Sequence, residues 1–228
     1  MFLKTTPWDS ELFGFPTYEL TSFSKEALES MRDVKGHITA KVKGLQDNSF
    51  LHQYGFYYCG TLITPFCSTS GFKECELDAA PSKLRVAPMR PNEQKELQEI
   101  YKSAFIHGRF HRDPNIPKEK ANERYIQWFN QISHTGNVLT FFCEEELAGF
   151  FAYNGDSILL HALGEKFRGR GLAKYFWSAA CKKLFSENHH EIHSSISTDN
   201  LAILNLYVSL GFRFRDPYHC FHRFIPTL

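Results

Sequence analysis

From residue 84 onward, apolar positions alternate between the period of a strand and that of a helix. Leu84 to Met89 is a strand candidate. Leu97, Ile100, Tyr101, Ala104 and Phe105 then form one helical stripe within 91–105. A second helix starts at Pro117, a residue suited to a first helical position, and carries Tyr125, Trp128, Phe129 and Ile132. Val138 to Cys143 and Leu147 to Tyr153, separated by Glu144, Glu145 and Glu146, predict an antiparallel hairpin, and Ser157 to Leu163 a buried strand. Helical spacing returns at Leu172, Phe176, Ala179, Ala180 and Leu184. A strand at Ile192 to Ser197, a helix carrying Tyr207 and an aromatic strand from Phe212 to Phe224 complete the order β–α–α–β–β–β–α–β–α–β.

The first 80 residues are patterned less strongly. Ser24 to Asp33 reads as a helix, and Asn48 to Tyr58 as a helix end turning at Gly55 into an aromatic strand. That second stretch echoes Asn205 to Phe214, with Leu51 rather than a tyrosine four residues before the glycine. The polar, proline-containing stretch from Ala79 to Ser82 is the best internal boundary, giving domains 1–80 and 83–228.

With 43% hydrophobic and 22% charged residues, a chain of 228 residues has the composition of a soluble globular protein. Its formal net charge of +1 gives no global field for nucleic acid or a membrane, so basic residues must act locally. No run approaches the roughly 20 apolar residues of a transmembrane helix, and the opening residues lack a signal-peptide pattern, so a cytoplasmic location is expected. Six cysteines without a Cys-x-x-Cys pair read as buried reduced thiols, with neither disulfides nor a metal expected.

Chemistry concentrates at Arg168 to Ala173, R-G-R-G-L-A, placed between the strand 157–163 and the next helix. Gly169 and Gly171 permit close approach of backbone to ligand. The free amides and positive dipole of the first helical turn favour a phosphate there. Thereafter come Asn200, Tyr207 seven residues later, and the pair Gly211 and Phe212.

Arg168, Gly171 and Ala173, followed by Asn200, Tyr207, Gly211 and Phe212, resemble the signature of the GNAT superfamily of acyl-CoA-dependent N-acyltransferases. Ile203 departs from it, standing where alanine is common. The resemblance implies an α/β (α+β) GNAT fold, a mixed central sheet flanked by helices, preceded here by a smaller degenerate GNAT-like half. It also implies acyl-CoA as co-substrate, held by Arg168, Gly169, Arg170, Gly171, Leu172, Ala173 and Lys174, with Asn200 on the pantetheine arm and the amides of Ala162 and Leu163 on the thioester carbonyl. Tyr207 would be the general acid toward the departing sulfur. His161 is a candidate base, with His107 and His111 in competition and local packing an equal alternative.

For the acceptor, His107, Arg109, His111 and Arg112 lie between the two helices of the second half, and the arginines have planar donors suited to a diphosphate. Trp8 to Phe15, Tyr54 to Phe56, Ser103 to Phe110 and Tyr125 to Trp128 resemble the dTDP-fucosamine acetyltransferase branch of the superfamily. That resemblance implies a dTDP-linked amino-deoxysugar as acceptor, for surface polysaccharide. Acetylation of a protein amine or an aminoglycoside, and a non-catalytic coenzyme A-binding module, stay open as alternatives, and a symmetric dimer is the default assembly.

Overall fold

In the computed structural model, which describes residues 2–134 and 137–227, a single mixed sheet of eleven strands carries the chain. The first half comprises β1 (Leu3–Thr5), α1 (Pro7–Phe13), β2 (Thr17–Leu20), α2 (Lys25–Ser30), β3 (Gly36–Lys43), α3 (Ser49–Gln53) and β4 (Tyr57–Ser68). The second comprises β5 (Leu84–Pro88), α4 (Gln94–Ala104), α5 (Lys118–Ser133), β6 (Val138–Cys143), β7 (Glu146–Asn154), β8 (Ser157–Leu163), α6 (Ala173–Ser186), β9 (Glu191–Ser194), β10 (Ile196–Ser197), α7 (Leu201–Ser209) and β11 (Arg213–Ile225). Across the sheet the order is β1-β2-β3-β11-β4-β9-β8-β7-β6-β5, with β10 attached to β4. Strands β8 and β9 are parallel, as are β2 and β3, and the other pairs are antiparallel.

Every element expected beyond residue 84 is present, with differences that have local causes. Pro117 caps α5 from outside, its ψ of 138° being extended, so the helix opens one residue later. Glu144 and Glu145 alone form the hairpin turn, both at positive φ (50° and 67°). Such a two-residue turn matches the twist of the flanking strands and usually takes Asn-Gly. Here ion pairs from Lys83 and Arg85 to Glu145 hold it on the surface. The strand expected over 192–197 breaks at Ser195: β9 pairs with β8 and β4, whereas β10 pairs with β4 alone.

The first half was largely illegible in the pattern, because β1, β2 and α1 are short and β3 gains meaning only from its neighbours. Its strand β4 lies between β9 and β11, and β11 pairs with both β3 and β4. The echo between 48–58 and 205–214 has a geometric counterpart. Helix α3 ends at Gly55 (φ 78°) and α7 at Gly211 (φ 88°), and the strands that follow are antiparallel neighbours. Glycine is required at 211: a Cβ would stand 2.1 Å from the Gly71 carbonyl oxygen.

Apolar side chains of α6 and α7 pack on one face of the sheet in the second half, where Phe141, Phe176, Trp177 and Tyr207 are buried. On the other face α4 and α5 pack through Leu97, Tyr101 and Phe129 against Phe150 of β7. Helices thus cover both faces around β8, leaving the ends of β8 and β9 to form the site.

Candidate active site

Pairing between β8 and β9 is confined to Ser157 with His193 and Ile158 with Ser194. Beyond that point the parallel strands separate, and a cavity of about 400 Å³ fills the opening, bordered by residues 159–163 on one side and 194–197 on the other. Its remaining walls come from 104–108, Tyr125, Trp128, the 167–173 turn and the start of α7. Splayed parallel strands leave backbone groups without ladder partners, and such groups need a ligand or water.

The phase of β8 decides which amides those are. Gly164 donates its amide to the Ala148 carbonyl at 2.8 Å, so by the two-residue alternation Ala162 also faces β7. The amides of His161 and Leu163 face the opening. This corrects the expectation for Ala162, whose amide belongs to the β7 ladder; Leu163 keeps the expected orientation. The register between β7 and β8 sets the phase, and composition does not reveal it.

The turn before α6 has the form of an anion cradle. Gly169 and Gly171 take φ of 70° and 72°, and a Cβ on either would meet no atom within 4 Å. No protein acceptor takes the amide hydrogens of 169–174 among the described residues. Free amides at a helix start, facing open space, fit a pyrophosphate. Leu172 precedes the helix in αR geometry and Ala173 opens it.

The side chains around this cradle differ in what they reach. Arg168 borders the cavity, but its Nε donates to the Leu163 carbonyl at 2.8 Å, tying the turn to the end of β8. Arg170 lies over the Phe167 ring and Lys174 over that of Tyr175, both outside the cavity lining. Asn200 borders the cavity while capping α7, its Oδ1 accepting from the Ile203 amide at 3.4 Å. Replacing Gly171 with valine is expected to cost about 1–2 kcal/mol of backbone strain and to weaken coenzyme A binding at least tenfold. Equal affinity by calorimetry in a folded variant would remove the cradle assignment.

His161 and Tyr207 meet, with His161 Nε2 and Tyr207 Oη 2.9 Å apart. Tyr207 is fully buried, and His161 stands between it and the cavity. Desolvation pushes the tyrosine hydroxyl well above its ordinary range and lowers His161 to about 4, so both are neutral near pH 7. Two further polar atoms at this spot have no protein partner, His161 Nδ1 and Trp177 Nε1.

The four acceptor candidates do not converge. His107 borders the main cavity. His111 turns away, with Nε2 2.8 Å from Asn122 Oδ1, and burial lowers its pKa. Arg112 forms an ion pair with Asp199, while Arg109 stacks on Phe110 and lines a separate cavity. Consecutive turns over 108–112, closed by the His111 amide on the Gly108 carbonyl and the Arg112 amide on that of Arg109, send successive side chains to different surroundings, so the expected pairing of Arg109 and Arg112 on one diphosphate is not what the geometry offers.

A buried cluster went unnoticed in the sequence. Asp113 Oδ2 lies 2.8 Å from His37 Nε2 and 2.7 Å from His222 Nδ1, while Oδ1 accepts from the Tyr57 hydroxyl and the Asn115 amide. Two histidines and a carboxylate have the composition of a metal site. Their spacing is that of hydrogen bonds, since ligands on a tetrahedral ion with bonds near 2.0 Å stand about 3.3 Å apart. The cluster straps the 105–117 segment, one wall of the main cavity, onto β3, β4 and β11.

A family model described as acetyltransferase (GNAT) family matches residues 95–212. The spore coat polysaccharide biosynthesis protein SpsD of Bacillus subtilis (strain 168) is 20% identical over 177 residues, covering 73% of this chain. The chain spans 58% of the length of that relative. A GCN5-related N-acetyltransferase from Sphaerobacter thermophilus superposes with a TM-score of 0.64 at 11% identity, covering 93% of this chain and 75% of its own. A tandem GNAT protein from the clavulanic acid biosynthesis pathway gives 0.56 at 12% identity, covering 92% and 75%.

Proposed function

This chain belongs to the acetyltransferase (GNAT) family; from that premise we propose that it is an acyl-CoA-dependent N-acyltransferase and acylates the amino group of a dTDP-linked amino-deoxysugar destined for surface polysaccharide. The observation that carries the catalytic part is the opening between β8 and β9, with a cradle for pyrophosphate at one end and the His161–Tyr207 pair at its floor.

The thioester is already activated, so the main task is to align a free amine with its carbonyl. Amides 169–174 hold the coenzyme pyrophosphate, and Asn200 lies beside the pantetheine arm. The Leu163 amide, with that of His161, faces the carbonyl oxygen as it gains charge. The amine attacks the carbonyl carbon, the C–S bond breaks, and the Tyr207 proton reaches the departing sulfur through His161, Tyr207 handing its proton to Nε2 as Nδ1 gives one up; the proton shed by the attacking nitrogen returns to Tyr207 by the same route. A histidine with a pKa near 4 is a weak base toward an ammonium. His161 therefore holds and exchanges the Tyr207 proton, and the acceptor arrives as the free amine.

Support for the acceptor comes from the basic 107–112 segment and from the name of the SpsD relative, which places that protein in polysaccharide biosynthesis. His107 is the member of that segment at the cavity wall. The chain divides into 1–80 and 83–228 as two halves of one sheet, the first having kept the shape of the repeat with Leu51 in place of an acid. A cytoplasmic location, where acyl-CoA is made, belongs to the same reading.

The test is a panel of acyl-CoAs against dTDP-amino sugars, free amino sugars, an aminoglycoside and a lysine peptide, with products detected by mass. Acetyl transfer to a dTDP-amino sugar is expected with kcat/KM at least a hundredfold above the other amines. Preference for the peptide or aminoglycoside would replace the acceptor, and turnover of none would return the chain to a coenzyme A-binding module.

A further inference from the structure

A second cavity, of about 210 Å³, lies under α1 on the polar face of β2 and β3. Thr17 and Glu19 of β2 pair with His37 and Thr39 of β3, and by strand alternation these four and Lys41 share one face. Its inner part is enclosed, Thr17 being 3%, His37 1% and Thr39 6% exposed, while Glu19 and Lys41 form a half-buried rim. The opposite face carries Ile38, Ala40 and Val42, as a core face should. Buried polar surface is costly unless its groups are bonded, so a polar face enclosed around a cavity calls for an occupant.

Some of these groups are satisfied within the protein. Lys41 pairs with Glu19 at 3.0 Å, and Arg124 with Asp9 at 2.7 Å. Three are not. The Thr39 hydroxyl and His37 Nδ1 have no protein partner among the described residues, His37 Nε2 being committed to Asp113. Arg109 has no carboxylate partner there either, and its Nε is buried without an acceptor. With the other two cations paired, Arg109 gives the lining one uncompensated positive charge, and the nearby Asp113 anion has both oxygens occupied.

We propose that this cavity is a binding site for a phosphoryl group, held by the Arg109 guanidinium and the Thr39 hydroxyl, with the free N–H groups of Arg124 completing the shell and His37 Nδ1, whose ring hydrogen is on Nε2 toward Asp113, accepting from a phosphoryl hydroxyl. The fork of a guanidinium matches phosphate oxygens, and more donors converge than a planar carboxylate would use. At about 30 Å³ per water, the space admits a phosphoryl group together with part of the molecule that carries it. It lies directly behind the acceptor wall. Gly108 and Tyr125 border the main cavity, whereas their chain neighbours Arg109 and Arg124 border this one. The phosphoryl group therefore belongs either to the acceptor or to a free anion that orders the wall. The site itself stands without the acceptor reading; only its source rests on it.

The test is calorimetric titration of the full chain with inorganic phosphate and, separately, with dTDP, under saturating coenzyme A so that the pyrophosphate cradle is filled. Saturable one-to-one binding is expected with at least one probe. Affinity should fall at least tenfold in Arg109→Gln and measurably in Thr39→Val, a near-isosteric change, with thermal midpoints showing both variants folded. Binding of dTDP far tighter than phosphate, and competed by it, assigns the group to the acceptor; comparable affinities assign a free anion. No saturable binding by either probe, or unchanged affinity in Thr39→Val and in a folded Arg109→Gln, overturns the site. Such a result leaves the acceptor reading standing, and failure to turn over any dTDP-amino sugar while phosphate still binds sinks only that reading.

Discussion

Tyr207→Phe is expected to lower kcat by about 10²-fold or more while coenzyme A binds as tightly as before. The substitution keeps the ring that packs against Phe212 and Trp177's neighbourhood in the core and removes only the hydroxyl that meets His161 Nε2 at 2.9 Å. Some stability goes with it, because His161 Nε2 loses its partner, a loss of about 1–3 kcal/mol for a buried polar atom. The pH dependence separates the chemical role from the structural one. Burial holds the Tyr207 hydroxyl protonated far above neutrality, so it contributes no alkaline loss of kcat in the wild-type enzyme. His161, lowered to about 4, contributes no inflection between pH 6 and 8. Single-turnover rates of wild type and variant across pH, with coenzyme A affinity measured beside them, decide the matter. Unchanged single-turnover rates in a folded variant would take Tyr207 out of the mechanism.

Asp113→Ala is expected to be the most destabilising of these changes, by about 3–5 kcal/mol, because it leaves several buried polar partners unpaired at about 1–3 kcal/mol each. The carboxylate is fully enclosed, and its removal strands His37, His222, Tyr57 and the Asn115 amide together. Urea denaturation reads the loss directly; a change below about 1 kcal/mol would mean that the histidines re-pair without it.

The same cluster makes the wild type acid-sensitive. Burial lowers His222 from 6.5 to about 3, so the folded protein keeps it neutral while an unfolded chain binds a proton below pH 6.5. Stability is therefore withdrawn as pH falls from 6.5 toward 3. Asp113 adds to this in the same direction: the bonds from His222 and His37 hold its carboxyl well below the usual range despite its burial. Its contribution is complete above the unfolded value of 3.8 and is lost below it as the folded carboxylate is protonated. Stability that stays flat from pH 7 to 4 would contradict the neutral assignment of His222.

Much of the second half was legible because its signals are local. A positive φ suits glycine wherever it occurs, so R-G-R-G-L-A before a helical stripe already specified the glycine turn at 169–173. Period likewise specified α4 and α6, and the spacing of Asn200, Tyr207 and Gly211 placed the tyrosine on a helix of its own, α7. The aromatic strand after Gly55 was readable for the same reason.

What only the tertiary structure decided depends on register and on partners distant in the chain. A strand shows which residues alternate and not which set faces a neighbour, so the Ala162 amide went to β7 and those of His161 and Leu163 to the opening. Likewise β11 lies between β3 and β4 because of pairings far apart in sequence, from Arg213 with Phe66 to Ile225 with Gly36, and no local preference encodes them. His37, Asp113 and His222 come together across three separate elements, each ordinary when read alone. Arg109 and Arg112 looked alike as neighbours in one basic segment, yet a carboxylate at Asp199 takes one and an enclosed polar cavity the other. Charge and spacing along a chain set what a segment is able to bind; the surfaces that fold against it determine which side chain is left free to do so.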